Sequence, residues 1–323
     1  AQNLYHIKEK NDLRSLDQMA QNTVVQFIET VPPRAMTLID RKEPRDAVMH
    51  IRGDWRRKGQ QTERRFLKML SGGSFAGIDP GHAYREGSGR LQLAEAIASP
   101  DNPLTARVIA NRIWQWHFGK GLVATPSDFG TRSPEPIHHA LLDYLASYLV
   151  ENDWSLKALH RLILDSATYQ QASLDNVEKR AVDPTNIYYW RMNRRRLEFE
   201  AMRDALLAAT GELQTRAGGL PTENFHSPRR SLYLLVNRQQ MPGVLATFDV
   251  SVPDATLPLR NNTTVPQQAL YLMNNRFISD RATEIIQRLD SDESTEAASA
   301  TAAQQKRVAT LYDWIYGRPP SEV

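Results

Sequence analysis

The 323 residues carry 40 Lys and Arg against 37 Asp and Glu, a net charge of +3, with 41% hydrophobic and 24% charged residues. That balance suits a soluble globular chain, long enough for one large domain or two moderate ones, and it lacks the dense basic face a nucleic-acid binder needs. The chain has no cysteine, which excludes disulfides, thiolate nucleophiles, cysteine-ligated zinc and covalent haem attachment within it.

No apolar run approaches the ~18 residues that span a bilayer. Ala1 opens no signal peptide, so the chain reads as a mature piece or a fragment with no membrane span. Asp12 to about Thr30 has a helical pattern that Val31-Pro32-Pro33 ends, because a residue before proline is pushed away from helical angles. Met36–Asp40 and Ala47–Arg52 flank a turn and alternate as a half-buried hairpin would. The basic residues Arg56, Arg57, Lys58, Arg64, Arg65 and Lys68 read as a solvated face or loop. Ser71–Gly89 holds six glycines and one proline in nineteen residues, which predicts an irregular loop; it lacks the Gly-Lys-Ser/Thr of a phosphate cradle.

Beyond Leu91 the periodicity is mainly helical. Helices are predicted at Arg90–Ala98 and at Leu104–Phe118, the latter stopped by Gly119-Lys120-Gly121. Ile137–Val150 and the segment carrying Leu156, Leu159, Leu162 and Ile163 read as paired core helices, with Asp153 or Ser155 as the cap between them. Arg191–Ala209 reads as one helix whose charges pair internally, Arg195 with Glu198 and Glu200 with Arg203. Arg229–Asn237 reads as a strand. Thr264 and Pro266 open helices at about Pro266–Met273 and Phe277–Leu289, and a last helix carries Val308, Leu311, Tyr312 and Ile315. Asp290–Ala303 reads as a linker or frayed helix.

The densest stretch for chemistry is Ser99–Arg132, where Arg107, Asn111, Arg112, Trp114, Trp116 and His117 fall within about three helical turns. Two readings compete: a ligand-facing wall, or a buried helix whose polar heads are tied to neighbouring backbone and carboxylates. Arg107, Arg112, Arg194, Arg195 and Arg196 offer planar forks for carboxylate or sulfate, and Trp114 or Trp116 could stack on a sugar ring. Those residues, with Asn111, are the ligand-binding candidates. Trp114 and Trp116 stand two apart on a helix, so at most one lines a given groove. Candidate acids and bases for catalysis are Asp128, Glu198, Glu200 and His117, although pairing with arginines competes with that role. His138 and His139 are adjacent and point apart, and His117 and His160 are single, so no metal site and no cofactor is predicted. Ser166 follows His160 by six residues without a nucleophile elbow and reads as a helix terminator.

Four long passages occur in one order: PDNPLTARVIANRIWQWHFGKGLVATPSDFGTR, WSLKALHRLILDSATYQQAS, RMNRRRLEFEAMRDALLAATGEL and RNNTTVPQQALYLMNNRF. Together they resemble the planctomycete-specific domain also called domain of unknown function 1553. RKEPRDAVMHIRGDWRRKG and YGRPPSEV extend the likeness to most of the chain from about residue 31. The resemblance implies a module at the carboxyl end of a large exported multidomain protein, in the periplasm or at the cell surface. It implies other domains of the parent chain as partners, cytochrome-c-like ones among them, and a link with sulfated polysaccharide. The family carries no established catalytic set.

The sequence therefore predicts a mainly α, multi-helix globular domain with a small antiparallel β-sheet, in which the hairpin near residues 36–52 pairs with residues 231–237. An N-terminal helical segment (1–30), a main domain (31–289) and a linker with a C-terminal helix that reads as cut short (290–323) are expected. Three functions stay open: a binding or assembly module for acidic glycans, a polysaccharide hydrolase or lyase, and a docking domain for a c-type cytochrome. If the structural reading of Arg107 holds, it packs near Glu198 or Asp204 and its replacement by alanine costs at least ~2 kcal/mol.

Overall fold

The computed structural model describes residues 37–67, 70, 84, 87–237, 239–291 and 300–321, together with Ser15, Gln18 and Met19. The helix expected from Asp12 to Thr30, most of the glycine-rich stretch and the core of the 290–303 linker lie outside the described residues. What is described is mainly α: ten α-helices and one two-stranded antiparallel sheet. The chain divides into two compact units, residues 1–102 and 103–323.

In the first unit β1 (Ala47–His50) pairs with β2 (Lys58–Thr62), setting Ala47 opposite Thr62 and His50 opposite Lys58. The partner of β1 is thus neither Met36–Asp40 nor residues 231–237 but the basic stretch expected to be a loop. Both faces of β2 are largely solvent-exposed, so its sequence lacks the apolar alternation that marks a half-buried strand. A 3₁₀ turn, Ile51–Gly53, joins the strands, with Arg52 and Gly53 at φ 55° and 77° and Ile51 N–H donating to Arg57 O at 2.9 Å. Helix α1 (Arg90–Ala98) follows, and Asn102 Nδ2 caps its end by donating to Ala96 O and Ile97 O.

In the second unit the first core is built by α2 (Thr105–Phe118), α3 (His139–Glu151) and α4 (Leu156–Leu164). Ile113, Trp114 and Phe118 meet Leu142, Leu145 and Leu149 of α3 and Leu159 and Ile163 of α4. The three-and-four spacing of these residues supplies the buried stripes. Ser155 caps α4 by accepting Ala158 N–H at 3.3 Å, and Ser166 Oγ donates to Ile163 O at 2.6 Å at its far end. A short α5 (Val177–Val182) is capped by Asn176.

Helix α6 spans only Phe199–Ala209; residues 191–198 are not helical. The Arg/Glu periodicity there fits a helix, yet the segment lies extended because its side chains satisfy distant backbone, as described below. Tertiary hydrogen bonding overrides the local preference. The stretch expected as a strand near 229–237 forms a 3₁₀ turn at Ser231–Tyr233 and two isolated bridges, Arg229 to Gln214 and Leu234 to Thr222. After α7 (Gly243–Thr247) come α8 (Pro266–Asn274), α9 (Arg276–Asp290) and α10 (Ala300–Tyr316). Pro266 occupies the first turn of α8, where its missing N–H costs nothing, although the cap position falls to Val265 rather than Thr264. Asn275 ends α8 and caps α9 through Phe277 N–H at 2.9 Å. The second core gathers Phe199 of α6, Phe248 and Tyr271, and Arg288 Nη1 of α9 donates to Ala209 O at 2.6 Å while lying over Trp314 of α10.

Candidate functional site

The residues of α2 divide by face. Asn111 is fully buried and clasps the chain beyond the helix at two points: Nδ2 donates to Val123 O at 3.1 Å and Oδ1 accepts Val123 N–H at 2.9 Å. A Cβ on Gly121 would come within 2.6 Å of Val123 O and 2.8 Å of the Asn111 amide, so the clasp needs glycine there. Trp114 stacks on Phe118 with ring centroids 4.1 Å apart and donates to the Tyr189 hydroxyl at 2.8 Å. Trp116, two residues on, is 63% exposed. Arg112 is exposed too, and no hydrogen bond or ion pair holds it among the described residues. Four residues apart on one helix, Arg112 and Trp116 share a face.

Arg107 pairs with Asp143 of α3 at 2.6 Å and donates to Pro103 O at 2.8 Å. Its expected neighbours, Glu198 and Asp204, are held elsewhere. The Arg107 guanidinium holds the Asp143 carboxyl below the usual carboxylate range.

The three arginines of the extended segment each bind backbone or amide oxygen. Arg194 donates through Nε and Nη2 to Ser173 O, and Arg195 Nη1 to Trp116 O at 2.6 Å. Arg196 Nη1 reaches Gln268 Oε1 at 2.7 Å and Thr263 O at 3.2 Å. Beside them Asn193 Nδ2 donates to Phe118 O at 3.0 Å. Arg195 and Asn193 thereby satisfy carbonyls at the C-terminal end of α2, which a helix leaves unpaired and partly negative. Gly119, at φ 81°, closes α2 in the left-handed conformation, and a Cβ there would strike Arg195 Cδ at 2.7 Å.

The carboxylates considered as acids and bases are also engaged. Arg260 Nη1 donates to Glu198 Oε2 and Glu200 Oε2, each at 2.8 Å, and its Nη2 to Glu200 Oε1 at 3.0 Å. The pairings expected inside one helix, Arg195 with Glu198 and Glu200 with Arg203, are absent among the described residues, because residue 198 precedes the helix and Arg203 is buried. Asp128 accepts Gly130 N–H at 2.9 Å and faces Arg132 at 3.7 Å, bracing its own loop.

Two arrangements were invisible in the sequence. His117 Nε2 lies 2.8 Å from His160 Nδ1, joining α2 to α4 across 43 positions, with Tyr169 edge-on to His117. One ring donates and the other accepts, so the pair is complete when both are neutral. Burial, then His160, then Arg195 push His117 below the ordinary histidine range. No hydroxyl or carboxylate hydrogen-bonds either ring among the described residues. His138 and His139 do not converge: His138 Nε2 contacts Ile187 O at 3.0 Å. No group of three or more metal-ligating side chains occurs among the described residues.

The second arrangement centres on Arg203, 1% exposed, which fans into the 225–231 loop. It donates to Phe225 O and Arg229 O at 2.9 Å, to Ser231 Oγ at 3.1 Å and to Ser227 O. Asp204 completes the hub by accepting Ser231 N–H and Oγ–H at 2.8 and 2.7 Å.

No helix among the described residues is long and apolar enough to cross a membrane. No curated protein and no solved structure matches the chain. A family model described as protein of unknown function DUF1553 matches residues 89–323; the passage RKEPRDAVMHIRGDWRRKG lies before the matched residues. Within the matched region the four recurrent passages interlock: the RRR of one binds the end of the aromatic helix and the Gln268 of another. With nearly three-quarters of its length covered by that model, the chain belongs to the DUF1553 family of unknown function.

Proposed function

We propose that this chain is a non-catalytic binding module of an exported multidomain protein, acting at the periplasm or cell surface, and that it engages acidic glycans through α2. The observation that carries the reading is the exposed pair on α2: Arg112 has no partner among the described residues, and Trp116, one turn on, presents its ring to solvent. A guanidinium beside an open indole suits a sugar that carries a sulfate or carboxylate, the charge to Arg112 and the ring face to Trp116. The engagement of Glu198, Glu200 and Asp128 by arginines and backbone supports binding over hydrolysis, which needs one free acid and one free base flanking the bond.

The test is titration of the purified chain with sulfated, carboxylated and neutral polysaccharides at low and moderate salt, with product analysis of every mixture. Salt-sensitive binding lost in Arg112→Ala and Trp116→Ala, without chain shortening, is the expected result. Shortened products would instead make the protein a polysaccharide-cleaving enzyme. Failure of all three classes to bind would refute glycan recognition and turn attention to assembly with a partner domain such as a c-type cytochrome.

A further inference from the structure

The first unit holds an open trough of about 740 Å³ across the β1–β2 sheet, a volume within the range of ligand sites. Two carboxylates line it and both are taken. Asp46 is bound by Arg64, Nε to Oδ1 at 2.8 Å, and Asp40 is bound by Arg90. These partners hold both carboxyls below their usual range: Arg64 for Asp46, and Ser88 and then Arg90 for Asp40.

Three further cations line the same trough, Arg41, Arg45 and Lys58, and no carboxylate or hydrogen bond holds any of their side chains among the described residues. Among the described residues, five cations against two carboxylates leave the lining three charges positive, as large an excess as the whole 323-residue chain carries. Glu43, on the same turn, is not among the lining residues. An excess so concentrated is unfavourable unless an anion or counterions offset it. The lining includes no Phe, Tyr or Trp; its one ring is the His50 imidazole, beside Ile39, Pro44, Ala47 and Val48 as apolar residues. Recognition there rests on charge and arginine forks rather than stacking, which argues against a nucleobase and against an uncharged sugar.

We propose that this trough is a second binding site, built by the first unit, for a ligand bearing several tetrahedral oxyanions, sulfate or phosphate. Arg41, Arg45 and Lys58 make the direct contacts, and the Asp46–Arg64 and Asp40–Arg90 pairs hold the walls. The shared chemistry admits two sources, a heavily sulfated sugar segment or a small polyphosphorylated molecule. Of the lining residues only Arg90 falls inside the family match, so the site belongs to this chain's own N-terminal unit.

The test is calorimetric titration of the full chain with a persulfated hexasaccharide and, separately, with inositol hexakisphosphate, each at about 50 and about 200 mM salt. Binding of at least one probe is expected, weakening about tenfold or more across that interval because neutralised charges release counterions. Arg41→Ala/Arg45→Ala/Lys58→Ala is expected to weaken it at least about tenfold and to flatten the salt dependence by about two to three in log–log slope. The three side chains are exposed, and the charge-keeping Arg41→Lys/Arg45→Lys variant, expected to keep the parent's salt dependence while losing less affinity than the triple alanine variant, separates lost charge from lost folding. The stronger probe identifies the source. Arg112→Ala and Trp116→Ala leave inositol hexakisphosphate binding unchanged. If neither probe binds, if the triple variant binds both undiminished, or if the α2 variants abolish inositol hexakisphosphate binding, the trough is not a site.

Discussion

Replacing Arg203 by alanine tests whether the Arg203 hub holds the second unit together. The guanidinium supplies donors to Phe225 O, Ser227 O, Arg229 O and Ser231 Oγ, and nothing else in the described structure reaches those carbonyls in its place. A hydrogen bond to a charged group contributes about 1.5–3 kcal/mol net, so the fan is worth several such terms. Against this stands the cost of burying the guanidinium, also several kcal/mol, which the variant recovers. Asp204 offsets only part of that cost, from 3.4 Å. The guanidinium lies over the Phe277 ring, 5.6 Å from its centroid, so the balance, with acceptors left unpaired and a cavity at that ring, is a loss of about 3–5 kcal/mol. Arg203→Lys, with a point charge that cannot fan across a loop, should lose about 2 kcal/mol. Urea unfolding followed by tryptophan fluorescence reads the global loss, and amide exchange across residues 225–231 reads the loop. A loss under about 1 kcal/mol with those amides still protected would refute the hub.

Other outcomes follow from the same geometry. Arg107→Ala should cost under about 1 kcal/mol in the same unfolding assay, since Arg107 and Asp143 are 37% and 48% exposed and such pairs contribute little. That is less than the burial-based expectation, because the partner lies at the surface of α3 rather than in the core. Asn111→Ala should lose about 2–4 kcal/mol, since it orphans the buried N–H and C=O of Val123, and Gly121→Ala should destabilise through its clash with the same clasp. His117 should titrate with a midpoint below 6.5 by NMR. The unfolded chain then binds more protons than the folded one, so the stability this histidine contributes is full above pH 6.5 and declines as pH falls toward the folded-state midpoint. His160 and Arg195 face it, and both disfavour the added proton; a midpoint at or above 6.5 would overturn the assignment.

Local rules located the elements whose ends are encoded nearby. Helix α1 was legible to the residue, α2 within one residue, and α8 and α9 within one, because Pro266, Asn275 and Gly119 act on the backbone beside them. The core stripes of α3 and α4 were legible from spacing, as was the opposed burial of Trp114 and Trp116. The extended form of residues 191–198 was not. Their periodicity is helical, but the carbonyls they satisfy belong to residues 116 and 118, some 75 positions earlier. β2 escaped for the opposite reason, since a strand exposed on both faces carries no alternation to read.

The amino-acid sequence by itself determined the mainly helical class, the positions of most helices, the absence of cysteine chemistry and, through four ordered passages, the family. Each of these depends on residues close in the chain or on the identity of the residues alone. Tertiary structure alone decided which charges meet. Arg260 took Glu198 and Glu200, Arg203 went inward, His117 met His160, and Arg112 was left open. A long side chain chooses its partner by distance after folding, and sequence separation carries no information about that distance.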